Sequence, residues 1–418
     1  MQQSIARYDI ILSGGDKVMI FRKGELFCGP GGLAFGSKKA NINNGNEQFS
    51  IEHAWANDID YSACKTFAKN ICYSDESIIT TNEDEVIDGK TVICKDIREL
   101  DISKLPPIDA FTFGFPCNDF SIVGEQKGFD GKYGALYTYG VKVLAYHRPQ
   151  WFLAENVGGL QSANDGNAFK KIIDDLAKVG EDEFGGYDIV PHLYKFEEYG
   201  VPQARHRVII VGIRRDLGLH FNIPAPITPN KEEYRTSKWA LEVSCYNEGN
   251  VVNALYNNEL TKHPIETIKR LEAIPPGENA WYEGIPEELR LKVKGAKLSN
   301  IYKRLDPNLP AYTVTGSGGG GTHMYHYAEP RALTNRERAR LQTFPDDYNF
   351  QGKKEEVRKQ IGMAVPPFGA KIIIEAILKT FAGIEYDHIE PKWNIDELRD
   401  ITSVSYTHLR AHETTLHL

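Results

Sequence analysis

The sequence predicts an α/β protein: a doubly wound, open sheet of parallel strands with a second, smaller and irregular domain. Three observations predict it. Five apolar runs alternate with helical patterns through the first part of the chain, the periodicity expected of strands joined by crossover helices. Each run ends in residues suited to binding or chemistry: the glycine-rich turn at 29–32, then Asp58, Asp96, Cys117 and Glu155. In open parallel sheets, ligands bind at the carboxyl ends of the strands, so these five ends point to one active-site edge. Finally, 418 residues exceed what one compact core accommodates, and the rhythm fails between 222 and 312.

Composition is ordinary for a globular chain, with 41% hydrophobic and 25% charged residues. A net charge of −8 gives no general support for nucleic-acid binding, which must then come from local basic patches. No run of about 18 apolar residues predicts a membrane span, and the N-terminus lacks the apolar core of a secretory signal. The six cysteines (Cys28, Cys64, Cys72, Cys94, Cys117 and Cys245) form no CxxC pair and no metal-like spacing. That predicts free thiols, a reducing cytoplasm and no metal. Residues 404–418 read as a translated sequencing adapter rather than native sequence, so His408, His412 and His417 are not read as ligands.

Near the N-terminus, apolar runs at 8–12 and 18–21 flank Ser13-Gly14-Gly15-Asp16, a hairpin pattern. A short strand at Glu25-Leu26-Phe27 then enters Cys28-Gly29-Pro30-Gly31-Gly32 and a helix. Glycines let the backbone approach a ligand closely, and the helix N-terminus offers unpaired N–H groups. The turn is not G-x-G-x-x-G, which points away from a dinucleotide and toward another nucleoside cofactor. Residues 41–48 read as a polar loop. A second strand ends at Asp58-Ile59-Asp60, where Asp58 is the candidate for ribose hydroxyls and Asp60 is alternatively a helix cap. The third strand, Thr91-Val92-Ile93-Cys94, ends at Lys95-Asp96-Ile97. The fourth, 108–113, stops at Gly114-Phe115-Pro116, and Cys117 comes next as a candidate nucleophile. Leu136 enters a helix that ends before Pro149. The fifth strand, Trp151-Phe152-Leu153-Ala154, ends at Glu155-Asn156-Val157.

Gln203, Arg205 and Arg207 alternate, which in an extended strand puts three donors on one face, suited to an anion or a base edge. Between 222 and 312, Pro224, Pro226, Pro229, Pro275, Pro276 and Pro307 break the pattern, while Lys292, Lys294, Lys297, Lys303 and Arg304 make the region locally basic. A glycine-rich stretch, 316–321, can pass close to a partner backbone. Thr334-Asn335-Arg336-Glu337 is a capping box, and its helix carries Arg336, Arg338 and Arg340. An apolar helix over 370–381 ends near Gly383.

Six blocks in this order resemble the cytosine-C5 DNA methyltransferases of bacteria and their phages. They are Phe27-Cys28-Gly29-Pro30-Gly31-Gly32, then Gly114-Phe115-Pro116-Cys117, Glu155-Asn156-Val157, and Gln203-x-Arg205-x-Arg207. The block from Arg331 to Pro345 and the closing Ile361-Gly362-x-Ala364-Val365-Pro366-Pro367 complete the set. The resemblance implies a Rossmann-like S-adenosylmethionine-dependent sheet formed by residues 1–221 and 358–403. It also implies a small domain over 222–357, with its target-recognition region at about 222–312. Cys117, Glu155, Arg205 and Arg207 are the implied catalytic residues. Phe27, Gly29, Gly31, Gly32, Asp58, Ile59, Asp96, Ile97, Pro116, Leu136 and Ala364 are implied to hold S-adenosylmethionine. Ser121, Gln203, Arg304, Arg331 and Arg336 are assigned to double-stranded DNA. No metal is implied. A monomer in the cytoplasm is expected, compatible with a cognate restriction endonuclease that acts on the same site without binding the enzyme.

Two positions depart from the family pattern: Asn118 replaces the usual Gln, and Met363 replaces the usual Asn. Retained activity is expected, because every residue assigned a covalent or proton-transfer role is present. Three other readings compete. A methyltransferase acting on tRNA would lack so large a recognition region. A non-enzymatic regulator would have lost Cys117 or Glu155. A nicotinamide oxidoreductase fits neither the glycine turn nor the Pro-Cys loop.

Overall fold

The computed structural model describes residues 9–11, 17–45, 47–115, 136–160, 166–242, 256–292, 298–395 and 398. The chain opens with β1 (Asp9–Ile11) antiparallel to β2 (Lys17–Leu26), the hairpin read from the sequence. β2 is one long strand, not a short one beginning near Glu25. Lys23 and Glu25 conceal it in the sequence, yet both are buried and form an ion pair inside the strand. A glycine-rich turn leads into α1 (Gly32–Lys39). The expected loop at 41–48 is instead a second hairpin. Its β3 (Asn41–Asn44) pairs antiparallel with the start of β4 (Glu47–Asp58), so backbone pairing overrides three asparagines, which are weak strand formers. After α2 (Tyr61–Asn70) come β5 (Ile79–Thr80), β6 (Thr91–Cys94) and β7 (Ala110–Gly114). Next are α3 (Tyr137–His147), β8 (Trp151–Val157), α4 (Asn167–Ala177), α5 (Glu181–Phe184) and β9 (Tyr187–Lys195).

These strands form one sheet in the order β5-β6-β4-β2-β7-β8, completed by β11 (His206–Arg214) and then β9. From β5 to β8 the pairings are parallel, and β11 runs antiparallel to both of its neighbours. The chain winds outward through β4 and β6, then crosses to the other side of β2 to place β7. The order therefore reverses between β2 and β7, the switch point at which such sheets open a ligand crevice. This is the doubly wound sheet the sequence predicts.

Alternation along the strands divides the core. Phe111, Phe113, Phe152 and Ala154 face a cluster that includes Val143 and Leu144 of α3 and Ile172, Ile173 and Leu176 of α4. Ala110, Trp151, Leu153, Ile209 and Val211 face the opposite cluster, with Ile373, Ile374 and Ile377 of α10 (Pro367–Ala382). α10 ends at Gly383 with φ 65°, the left-handed cap expected there. Together with α9 (Lys354–Met363), it makes a stretch apolar enough by composition to cross a membrane, but 72% of its most apolar window is buried in the core.

The remaining chain is irregular, as the proline pattern predicts. β10 (Gln203–Ala204) pairs parallel with β13 (Ala311–Tyr312). β12 (Ile223–Pro224) pairs with β14 (His388–Ile389). α6 (Ser237–Glu242) and α7 (Ile265–Glu272) are short. α8 (Asn335–Leu341) starts at the capping box: the Thr334 hydroxyl accepts from the Glu337 N–H, and Glu337 accepts from the Thr334 N–H. A third apolar cluster joins α1 and α2 to this part through Phe35, Phe67, Leu305, Val314, Phe344 and Ile361.

Candidate active site

The carboxyl ends of β2, β4, β6, β7 and β8 open onto one cleft of about 300 Å³. Its floor is the turn after β2. Gly29 and Gly31 have φ of 51° and 91°, a region that favours glycine. Gly32 is constrained by space: a Cβ there would lie 2.3 Å from the carbonyl oxygen of Val365. The turn thus lies directly against residues 364–365, and the two blocks form facing walls.

Asp58 closes the turn from β4. One carboxylate oxygen accepts the Gly29 N–H at 2.8 Å, and the other accepts the Asp60 N–H at 2.9 Å. Burial raises its pKa, while these amides pull it back down. Asp60 caps α2 through the amides of Ser62 and Ala63, so the alternative reading of that residue holds. Lys359 of α9 reaches across the cleft to Asp60 at 3.1 Å. Asp96 accepts the Arg98 N–H and pairs with its guanidinium. Asn57 ties the ends of β4 and β6 together by donating to the carbonyls of Ile93 and Lys95 at 3.0 and 2.9 Å. Phe27, Ile59, Ile97 and Leu136 line the cleft with apolar surface, and Met363, the last residue of α9, and its cap Ala364 line it from the other side. Met363 is 64% exposed, so the position where an amide was expected is the cleft rim. Two carboxylates at neighbouring strand ends, beside apolar walls and a glycine floor, fit an adenosyl group.

Glu155, near the end of β8, also lines the cleft. It is buried, and its Oε1 lies 3.0 Å from Nε of Arg207. Arg207 sits opposite Val157 in the β8–β11 ladder, which makes Glu155 its diagonal neighbour on the same face. Burial raises the Glu155 pKa, and Arg207, then Arg205, oppose that rise. Asn156 has no role assigned to it by the sequence motif. Its amide donates to the Phe115 carbonyl at 3.0 Å, and its side-chain oxygen accepts the Val157 N–H at 2.8 Å. It therefore holds the last described residue before Pro116 and Cys117. Pro116, Cys117, Asn118 and Ser121 lie outside the described residues.

The Gln203–Arg207 block differs from expectation. The strand breaks at Arg205, between β10 and β11, so the three side chains do not share one face. Gln203 is fully buried. Its amide donates to the Leu341 carbonyl and to Oε1 of Gln342, and its oxygen accepts the Val314 N–H at 2.8 Å. Both ends of its side-chain amide are thus engaged inside the protein. Arg205 is 1% exposed and donates to the carbonyls of Val314 and Gly362 at 3.2 and 3.1 Å. It positions chain segments behind Arg207. Gln342 completes the network by donating to the carbonyls of Ile361 and Ala364.

Two arginines assigned to DNA are likewise interior. Arg304 donates to the carbonyls of Leu271, Ile274, His326 and Tyr327. Arg336 is 1% exposed and donates to the carbonyls of Tyr256, Pro345 and Tyr348. Arg331 is part-buried and held by Glu329 and Glu337. For Arg304 and Arg336 a guanidinium organises irregular chain that has no ladder to satisfy its carbonyls.

A family profile described as C-5 cytosine-specific DNA methylase matches residues 21–379. The chain belongs to this family. This methyltransferase is 59% identical over 386 residues to Type II methyltransferase M.BbvI of Brevibacillus brevis, across 91% of this chain and 96% of that one. It is 38% identical over 384 residues to M.NgoFVII of Neisseria gonorrhoeae, across 90% and 91%. A crystal structure described as a DNA modification methyltransferase encoded within an E. coli prophage matches with a TM-score of 0.61. That match covers 86% of this chain and 99% of the other at 22% identity, which shows a shared fold. The protein is a DNA (cytosine-5-)-methyltransferase of restriction-modification type, and its substrate is DNA.

Proposed function

We infer that the enzyme methylates C5 of a cytosine flipped out of a short, specific duplex site, with S-adenosyl-L-methionine as donor and a covalent Cys117–C6 adduct as intermediate. The observation that carries this reading is the position of Glu155. It belongs both to the lining of the cleft and to the ion pair with Arg207, on the strand beside the one that leads to Cys117. When bound, S-adenosylmethionine supplies an electrophilic methyl group. The glycine floor at 29–32 and Asp58, Asp96, Ile59, Ile97 and Leu136 hold its adenosyl part.

Cytosine C5 is a weak nucleophile, and covalent catalysis makes it one. The Cys117 thiolate adds to C6. Glu155 delivers a proton to N3 and offsets the charge that builds there, a role suited to a carboxyl group whose pKa burial raises. Arg207 orients Glu155 and holds O2 of the base. After C5 is methylated, its proton leaves to a base and the thiolate is eliminated. The target atoms are stacked inside the duplex, so the base has to leave it. Residues 222–312 are the region proposed to read the site, and the enzyme is proposed to act as a monomer whose modification protects DNA from a cognate endonuclease.

Methylation of random-sequence DNA by purified protein, followed by conversion sequencing, tests the reading and yields the target site. Site-specific 5-methylcytosine is expected, and Cys117→Ser is expected to abolish it while leaving cofactor binding intact. Full activity in that variant would end the covalent mechanism. Transfer RNA run in parallel tests the remaining reading in this reaction class.

A further inference from the structure

Cys64 of α2 and Cys94 at the end of β6 form a thiol pair on the outer side of the cleft wall. Their side chains are hydrogen-bonded to each other. Each sulfur also rests on the chain between them: Cys64 Sγ lies 3.6 Å from the Asp58 carbonyl oxygen, and Cys94 Sγ lies 3.8 Å from that of Ile59. Asp58 is the register partner of Cys94 in the β4–β6 ladder. The pair therefore straddles the turn that presents Asp58 and Ile59 to the cleft, although neither sulfur lines it.

The two thiols differ in character. Cys64 is fully buried, whereas Cys94 is part-exposed. The hydrogen bond from Cys64 eases ionisation of Cys94. The same bond, together with burial, holds Cys64 protonated. Burial keeps Cys28 protonated and pushes Cys72 up to about 12. Among the described cysteines, Cys94 alone is eased toward the thiolate that reacts with oxidants.

We propose that Cys64 and Cys94 are a peroxide-reactive dithiol whose disulfide weakens cofactor binding. The Cys94 thiolate attacks hydrogen peroxide, breaking the O–O bond and giving a sulfenic acid and hydroxide. The Cys64 thiol then displaces water from that sulfenic acid to form the disulfide. Overall, two thiols are oxidised and one peroxide is reduced to two waters. Closing the bridge brings the sulfurs from hydrogen-bond range to about 2.05 Å, which draws α2 toward β6 and shifts the turn at 58–60. The effect on the cofactor rests on the proposed cofactor reading, whereas formation of the disulfide does not.

The test is to treat the full chain with graded hydrogen peroxide, map peptides by mass spectrometry, and titrate S-adenosylmethionine by calorimetry before and after. A Cys64–Cys94 linked peptide is expected, with a dissociation constant raised roughly tenfold and restored by dithiothreitol. Cys94→Ser should form no link and keep its affinity under peroxide. Cys64→Ser, which lacks the resolving thiol, should stop at a Cys94 sulfenic acid that dimedone traps. Peptides that stay unlinked overturn the dithiol. A complete link with unchanged affinity overturns the coupling. Reduced protein that binds no S-adenosylmethionine overturns the cofactor assignment and the coupling together, while the peptide map still judges the disulfide.

Discussion

Glu155 and Arg207 meet diagonally across the antiparallel β8–β11 ladder, Oε1 to Nε at 3.0 Å, in a buried pocket edge. In such surroundings a carboxylate is costly unless it is paired, and a neutral carboxyl group is a ready proton donor. Glu155→Gln keeps the shape and removes the proton. The maximal rate should fall about 10²–10⁴-fold with the cofactor dissociation constant little changed. In single-turnover assays the wild-type rate should fall as pH rises through the elevated Glu155 pKa, because the donor is then ionised. The variant should lack that limb. An unchanged alkaline limb in the variant would remove Glu155 from proton transfer.

Asn156 acts at one remove. Its amide is the clamp on the Phe115 carbonyl, two residues before Cys117. Asn156→Ala releases that clamp in the proposed catalytic loop, and small displacements of reacting groups cost about 10²-fold in rate. The expected signature is a lower kcat with nearly unchanged KM for S-adenosylmethionine. A proportional rise in KM would place the defect in the cofactor cleft instead.

Burial keeps several histidines uncharged: the pKa of His53 is lowered to about 3, and those of His147 and His192 to about 4. In the unfolded chain they titrate near about 6.5, so the unfolded state takes up protons first. Their contribution to stability is intact above that value and is lost as pH falls through the folded values. The melting temperature should therefore drop steadily between about pH 6.5 and 4, and His147→Gln should show a shallower slope. An equal slope in that variant would assign the acid sensitivity to other groups.

Arg304 offers a contrast with a DNA-binding arginine. Its guanidinium is spent on four carbonyls inside the protein. Arg304→Ala should lower unfolding stability by about 3 kcal/mol, read from denaturant midpoints. The slope of DNA affinity against salt should stay as in the wild type, whereas loss of a phosphate contact would reduce it by about one.

The active-site edge was legible because its signal is local. Apolar runs such as Trp151-Phe152-Leu153-Ala154, short, rich in aromatics and bounded by turn residues, read as buried strands, and the residues after each run then sit at the carboxyl end of its strand. The capping box at Thr334 was legible for the same reason. The positions whose surroundings differ from expectation depend on contacts distant in sequence. Nothing in Gln203-Ala204-Arg205 shows that β13 arrives alongside, or that Val314 and Gly362 present carbonyls to Arg205. The arginines at 304 and 336 look basic in sequence because charge is a property of one residue, whereas burial is a property of the fold. Residues 41–48 look like a loop because asparagine is a poor strand former, yet β4 offers an edge that accepts them.

The Gln203–Arg205–Gln342 network has a consequence for exchange between relatives. It bolts residues 311–314 to the end of α9 and its cap at 361–364, and Gly362 is pressed so closely on Thr315–Gly316 that a Cβ would lie 2.0 Å from the Gly316 nitrogen. A segment transplanted from a relative in place of the region proposed to read the site can thus replace the chain up to residue 310 and leave this seam whole. A graft that runs on through 311–316 splits a matched pair, and the mismatch would surface at the wall of the cleft formed by residues 363–365, away from the segment that was exchanged.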